Sequence, residues 1–136
     1  MNTLIVALDA ASPLDIGDAE VLVVAPALNS RLRHWLSDDD GARRQAEERA
    51  AACVDRLERA GVHAEGRVGD ADPLQAIADA LPAFAADEIV IAAHPERLNG
   101  LADALADRAR KRFALPVLLR ARRRRPGSRA GPLQAW

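Results

Sequence analysis

The sequence contains few cysteine and aromatic residues. Its 136 residues include one cysteine, no tyrosine, two tryptophans and two phenylalanines. A lone cysteine excludes an intrachain disulfide, and Cys53, which falls within a helical pattern, is expected to be a small core residue. No apolar run approaches the roughly 20 residues that cross a bilayer. The start, MNTLIVALDAAS, has no basic segment before its apolar residues, so we expect no signal peptide and a cytoplasmic location.

Sequence signatures of common catalytic sites are also missing. There is no G-x-S-x-G turn, no Walker A motif and no G-x-G-x-x-G after the first apolar run. His34, His63 and His94 lack the spacing of metal ligands, so no metal is predicted. Ser30, His34 and Asp38 are close only in sequence. An enzyme, such as a hydrolase that uses His94 as an acid or base, is therefore the least favoured function.

Charge is distributed unevenly along the chain. Six of the 19 basic residues are arginines in 120–136, a segment without acids, so the remainder has a net charge of −7. Arginine runs bind nucleic acid or anionic lipid through phosphates. No aromatic residue interleaves with these arginines, and a solvated tail is the favoured interpretation. We therefore predict one domain over 1–120 and a basic, disordered tail over 121–136, with neither nucleic acid nor membrane as the expected partner.

Short apolar runs alternate with amphipathic segments along most of the chain. The runs, predicted as strands, cover 4–8, 20–26, 62–68, 87–93 and 115–119. Helical patterns cover 43–61, 73–81 and 98–113. Gly61 is expected to end the first helix in a left-handed backbone conformation. Asp72 is expected to be the N-cap of the second helix and Pro73 its first residue. This alternation predicts a parallel sheet between two layers of helices. The alternating run VHAEGRV suits an edge strand.

The first connection is too short for a normal crossover. Only residues 10–19 separate the first two predicted strands, whereas a parallel crossover with its helix usually needs a dozen residues or more. The sheet face that this helix would cover is then expected to be partly bare. An exposed apolar face is often a contact surface, so we expect self-association, most simply a homodimer.

Three segments of the chain carry a recognisable pattern: LIVALDAAS, GRVGDADPLQAIADAL, and DEIVIAAH followed by a helix and LPVLL. Together they resemble the universal stress protein family, and the resemblance covers roughly residues 3–120. It implies a three-layer α/β fold of the flavodoxin-like or HUP type. The implied sheet has five parallel strands in the order 3-2-1-4-5, here with a shortened first crossover.

The phosphate loop of nucleotide-binding members is altered in this chain. The resemblance implies G-x-x-G, nine residues and then G-S or G-T, because glycines let backbone amides approach phosphates. Here the loop is HPERLNG, which lacks the first glycine, and Arg110 and Lys111 replace the final pair. Pro95 also lacks an amide donor, and Glu96 repels phosphate. We expect degenerate nucleotide binding and no obligatory cofactor, with ATP or AMP as the ligand to test.

Eight residues form the candidate ligand site. Asp9 matches the family position that contacts the nucleotide, and alternatively caps the strand end. The backbone of Ala25 and Pro26 would flank an adenine. Trp35 would stack on a ligand ring, although packing over the sheet end is the favoured interpretation. The others follow the fourth predicted strand: His94, Arg97, Asn99 and Gly100.

The function favoured by these observations is non-catalytic. The resemblance implies a stress-response or regulatory protein that acts through dimerisation or partner binding. The alternative is a binding protein for an adenine nucleotide or another small anion.

Overall fold

A single parallel sheet organises the molecule. The computed structural model describes residues 1–8, 20–28, 39–93 and 100–121. In chain order the elements are β1 (Asn2–Ala7), β2 (Glu20–Pro26), α1 (Asp39–Arg59), β3 (His63–Gly69), α2 (Pro73–Ala80), β4 (Glu88–Ala93), α3 (Leu101–Arg112) and β5 (Val117–Ala121). All strand pairs are parallel, and the order is β3-β2-β1-β4-β5. The predicted order and the edge position of β3 are confirmed.

Two hydrophobic clusters lie on the two faces of this sheet. One contains Leu4, Val24 and Ile91 together with buried residues of α2 and α3. The other contains Ile5 and Val23 together with buried residues of α1. Successive strand residues point to opposite faces, so strands that are apolar at every position need helices on both sides. The clusters therefore explain why the strands are continuous aliphatic runs.

The prediction of a bare sheet face is wrong for the two central strands. On the face shared with α1, Ile5 of β1 is 0% exposed and Val90 of β4 is 2% exposed. Among the residues that the structure describes, the large apolar side chain exposed on this face belongs to β5, where Leu118, the register partner of Val90, is 37% exposed. The predicted short crossover itself falls in 9–19, outside the described residues. A bare central face therefore gives no support for a dimer.

Local signals place most helix ends correctly. Asp72 caps α2 by accepting a hydrogen bond from the Leu74 N–H at 3.1 Å, and Pro73 is its first residue. Gly61, just beyond α1, has φ of +86°, a value that favours glycine. Helix α1 starts at Asp39, four residues before the predicted start, and ends at Arg59, two residues before Gly61.

Further details concern which residues of α2 are buried, where β3 ends and where Cys53 lies. In α2 the buried residues are Ala76, Ile77 and Ala80, whereas Leu74 and Leu81 are only partly buried. Strand β3 is shifted by one residue from the predicted run 62–68, so that Gly69 is its last residue. Cys53 is buried in the α1 cluster, as expected.

A set of polar contacts joins β1 and β4 where these strands begin. The Asn2 N–H donates to Asp87 Oδ2 at 2.7 Å, and the Asp87 N–H donates back to the Asn2 carbonyl at 2.7 Å. The buried Thr3 hydroxyl donates to Glu88 Oε2 at 3.0 Å. These bonds satisfy polar groups at the strand starts and fix the register of the two central strands.

No helix among the described residues is long and apolar enough to span a membrane.

Gly69 allows α2 to lie close to the ends of β2 and β3. A Cβ atom at this position would be 2.7 Å from Ala76 Cβ and 2.7 Å from Val24 Cγ1. Real carbon atoms do not approach so closely, and neither neighbour has a flexible end that can move away. The other glycine of β3, Gly66, is less confined, since the nearest neighbour of a Cβ there would be a Val54 methyl at 3.1 Å.

We expect Gly69→Ala to lower the free energy of unfolding by about 1–3 kcal/mol, because the added methyl overpacks the interface between α2 and the sheet. Urea unfolding measures this change. Gly66→Ala is the matched control and should cost less. Equal stability of Gly69→Ala and the natural protein would contradict the close approach.

Candidate functional site

The structure describes three of the eight predicted site residues. Ala25 and Pro26 end β2, and Gly100 directly precedes α3. The strands end at one edge of the sheet, called the carboxyl edge from here on, which is where parallel α/β folds bind ligands. The other five lie outside the described residues: Asp9, Trp35, His94, Arg97 and Asn99. Their proposed contacts stay predictions.

Pro26 interrupts the hydrogen-bond ladder between β1 and β2. The Glu20 N–H donates to the Met1 carbonyl at 3.0 Å, and in a parallel pair the pattern repeats every two residues. The N–H that would serve the Ala7 carbonyl therefore belongs to residue 26. Proline has no N–H, so the ladder alone leaves this carbonyl without its donor.

Arg49 of α1 supplies the missing donor. Its Nε donates to the Ala7 carbonyl at 3.4 Å, and its Nη2 donates to the Pro26 carbonyl. The planar guanidinium presents several N–H groups in fixed directions, so one side chain can serve the ends of two neighbouring strands. Half-buried Arg49 thus links α1 to the carboxyl edge at β1 and β2.

These bonds occupy the backbone that was predicted to flank an adenine. The Pro26 carbonyl accepts from both Arg49 and the Leu28 N–H, the latter at 2.8 Å. The Ala27 N–H donates to the Gly69 carbonyl at 3.1 Å, so the peptide groups of alternate β2 residues, including Ala25, face β3. Recognition of a base edge needs a free N–H and a free carbonyl. Ala25 and Pro26 offer neither, and only their apolar surface remains for a ligand.

Gly100 forms the start of α3 at the same carboxyl edge. Its φ is +74°, which favours glycine, and its carbonyl accepts the first helical bond from the Ala104 N–H at 2.8 Å. Gly100 has no side chain to cap the helix, and no other described side chain caps its start, so within the described residues the first amides of α3 stay open to an anion. Asp103 in the first turn partly offsets the positive end of the helix dipole.

Two clefts flank the carboxyl half of β3. One, of about 300 Å³, lies on the α2 side, where Arg43, Arg67, Asp70 and Asp79 surround a floor that includes Val24. The other, of about 330 Å³, lies on the α1 side and is lined by alanines, valines and Gly66 together with the charged Glu47 and Arg67. Within the ranges that the structure covers, no group of three or more His, Cys, Asp or Glu residues could hold a metal ion.

Sequence reasoning missed Arg49, the residue that dominates the described part of this edge. It is one of several charged residues in the helical pattern, and nothing in its neighbours distinguishes it. A usable signal is the proline at the end of a strand that is paired on both sides. Such a proline leaves a carbonyl without a donor, and a long cationic side chain on the covering helix can reach it.

The fold is similar to that of two solved structures. One is the hypothetical protein MJ0577, determined to assign a biochemical function from structure, with a TM-score of 0.56 and 15% sequence identity. The other is a protein of the universal stress protein family from Burkholderia pseudomallei, with a TM-score of 0.53 and 18% identity. Each comparison covers 88% of this chain and 96% of the other chain.

The chain thus has a universal-stress-protein-like α/β fold, as the sequence resemblance implied. No protein-family model matches the sequence, and no curated protein matches it. At these identities the likeness concerns the fold, so any activity has to be argued from the site.

We expect the effect of removing Arg49 to depend on residue 26. Arg49→Met keeps the apolar stem but removes the donors, and the loss of a donor to a part-buried carbonyl costs about 1–3 kcal/mol. In a Pro26→Ala background the new N–H can serve the Ala7 carbonyl, so Arg49→Met should cost less.

Urea unfolding of the four proteins in this double-mutant cycle measures the coupling, with exposed Arg44→Met as the control. A coupling of about 0.5 kcal/mol or more is expected for two groups that serve one carbonyl. Additive effects would contradict the role assigned to Arg49.

Proposed function

We propose that this protein is a non-catalytic regulatory protein of the universal stress protein type, acting in the cytoplasm through dimerisation or partner binding. In this proposal nucleotide binding is degenerate and no cofactor is needed. A role in stress response is the form of regulation that the family likeness suggests.

The observation that supports this proposal is that the backbone groups at the end of β2 offer no free hydrogen-bonding partner to a ligand. We refer to this feature as the closed end of β2. Pro26 has no N–H, and its carbonyl already accepts from Arg49 and Leu28. The sequence after β4 independently lacks the first glycine of the family's phosphate loop. An adenine nucleotide would thus lose a base contact at one end and phosphate contacts at the other. Two losses in separate segments favour a chain that has given up tight nucleotide binding.

The second candidate function is the binding of a small anion or an adenine nucleotide at the carboxyl edge. It is favoured by the start of α3, where Gly100 leaves the first amides without a side-chain cap. Asp9, Trp35, His94, Arg97 and Asn99 would complete this site in the sequence-based proposal. Asp103 and the closed end of β2 weigh against it.

A thermal-shift titration with ATP, ADP and AMP, with and without magnesium, separates the two candidates. A ligand that binds only the folded state raises the melting temperature with concentration. We expect no saturable rise at millimolar nucleotide, because both base and phosphate contacts are reduced.

Inorganic phosphate provides the test of anion binding alone, and Asp9→Ala is the control for specificity. A saturable rise with ATP or AMP that Asp9→Ala abolishes would contradict degenerate binding and support the second candidate.

A further inference from the structure

We propose that the outer edge of β3 is a self-complementary surface that pairs with β3 of a second copy of this chain, antiparallel and centred on Gly66. This inference rests on the dimerisation part of the proposed function and identifies the surface involved. The argument depends on which peptide groups of β3 face outward, which side chains accompany them, and whether the edge is open.

The unpaired peptide groups of β3 belong to alternate residues. β3 is the outermost strand of the described sheet, and among the described residues it pairs only with β2. The Gly69 carbonyl accepts from the Ala27 N–H, so Gly69 faces β2, and by alternation so do Arg67 and Glu65. The peptide groups of Val68, Gly66 and Ala64 therefore point away from the sheet.

The side chains of β3 likewise alternate between the two faces of the sheet. A Cβ at Gly66 would contact Val54 of α1, and Ala64 is buried in the α1 cluster. Glu65 and Arg67 consequently lie on the opposite face, the one shared with α2, and both are exposed. Within the described part of the chain, neither side chain makes a hydrogen bond or an ion pair.

The edge is accessible around Gly66 and Val68. Gly66 has no side chain, so its exposure is exposure of the backbone itself. The cleft of about 330 Å³ on the α1 side includes Gly66, Arg67 and Val68 in its lining. The cleft of about 300 Å³ on the α2 side includes Val68 and Arg67. A strand that approaches this part of the edge thus finds open space on both faces.

A two-fold axis at Gly66 matches both the peptide groups and the charges. Gly66 then faces its own copy, and Ala64 faces Val68 of the second copy, so outward peptide groups meet as hydrogen-bonded pairs. Glu65 faces Arg67 of the second copy in a non-hydrogen-bonded pair, where Cβ atoms are about 4.5–5.5 Å apart. By symmetry the ion pair forms twice, as an isologous interface requires.

Neighbouring registers do not pair these charges. An axis at Glu65 or at Arg67 places like charges opposite each other. An axis at Ala64 places Arg67 opposite Gly61, and an axis at Val68 places it opposite Gly69. The charge pattern of β3 therefore favours one register for pairing with a second copy of this chain.

The first measurement is the mass of the natural protein at micromolar concentration by light scattering and sedimentation. We expect a dimer, of about twice the 14.6 kDa chain. Glu65→Arg and Arg67→Glu should each weaken dimerisation about tenfold, because two attractive pairs become repulsive. The double variant Glu65→Arg/Arg67→Glu should restore it, and an equimolar mixture of the two single variants should form a heterodimer.

Two controls separate this edge from other surfaces. Glu48→Arg makes the same charge change on the exposed side of α1 and should leave the dimer unchanged. Leu118→Arg changes the opposite edge strand, β5, and should also leave it unchanged. The double variant Glu65→Cys/Arg67→Cys should form an intermolecular disulfide on mild oxidation, whereas Glu65→Cys alone should not, because residue 65 faces residue 67.

A monomeric natural protein would overturn both this inference and the dimerisation part of the proposed function. The charges on β3 would then serve to keep other strands away from a free edge. A dimer that Leu118→Arg disrupts and the β3 variants do not would overturn the inference alone. Failure of the charge-swapped double variant to dimerise would overturn the register. The nucleotide titration is independent of all these outcomes.

Discussion

Pairing of backbone groups at the ends of the parallel strands is the constraint on which the described structure depends. Each strand inside the sheet must satisfy N–H and carbonyl groups on both sides, and each strand end has a last group that no neighbour reaches. At the start of the central strands, Asn2 and Asp87 meet this need with reciprocal bonds. At the carboxyl edge Arg49 meets it for β1 and β2.

The way in which Arg49 meets that need also limits what the carboxyl edge can bind. In a parallel α/β fold, free backbone groups at strand ends are the groups that a ligand uses. A helix residue that bonds to two of them removes them from ligand recognition and gives the fold a tie between α1 and the sheet. Stability and recognition therefore compete for the same atoms here. The balance at Ala7 and Pro26 has moved toward stability.

Much of the fold could be predicted because its signals are local. Strands apolar at every position imply cover on both faces, and Asp72, Pro73 and Gly61 mark helix ends through properties of single residues. The site was less predictable because its described part depends on a contact between Arg49 and two carbonyls at least 23 residues away in sequence. The burial of Ile5 and Val90 likewise depends on tertiary packing, which the length of one connection did not reveal.

The pairing of Pro26 with Arg49 has a consequence for the history of the sequence. A proline at residue 26 without the arginine leaves the Ala7 carbonyl short of a donor, whereas the arginine without the proline merely adds a second donor. Substitution in the order arginine then proline passes through a stable intermediate, and the reverse order does not. Once both residues are present, Arg49 is not easily lost before Pro26, so the proline at the end of β2 keeps the arginine in place on α1.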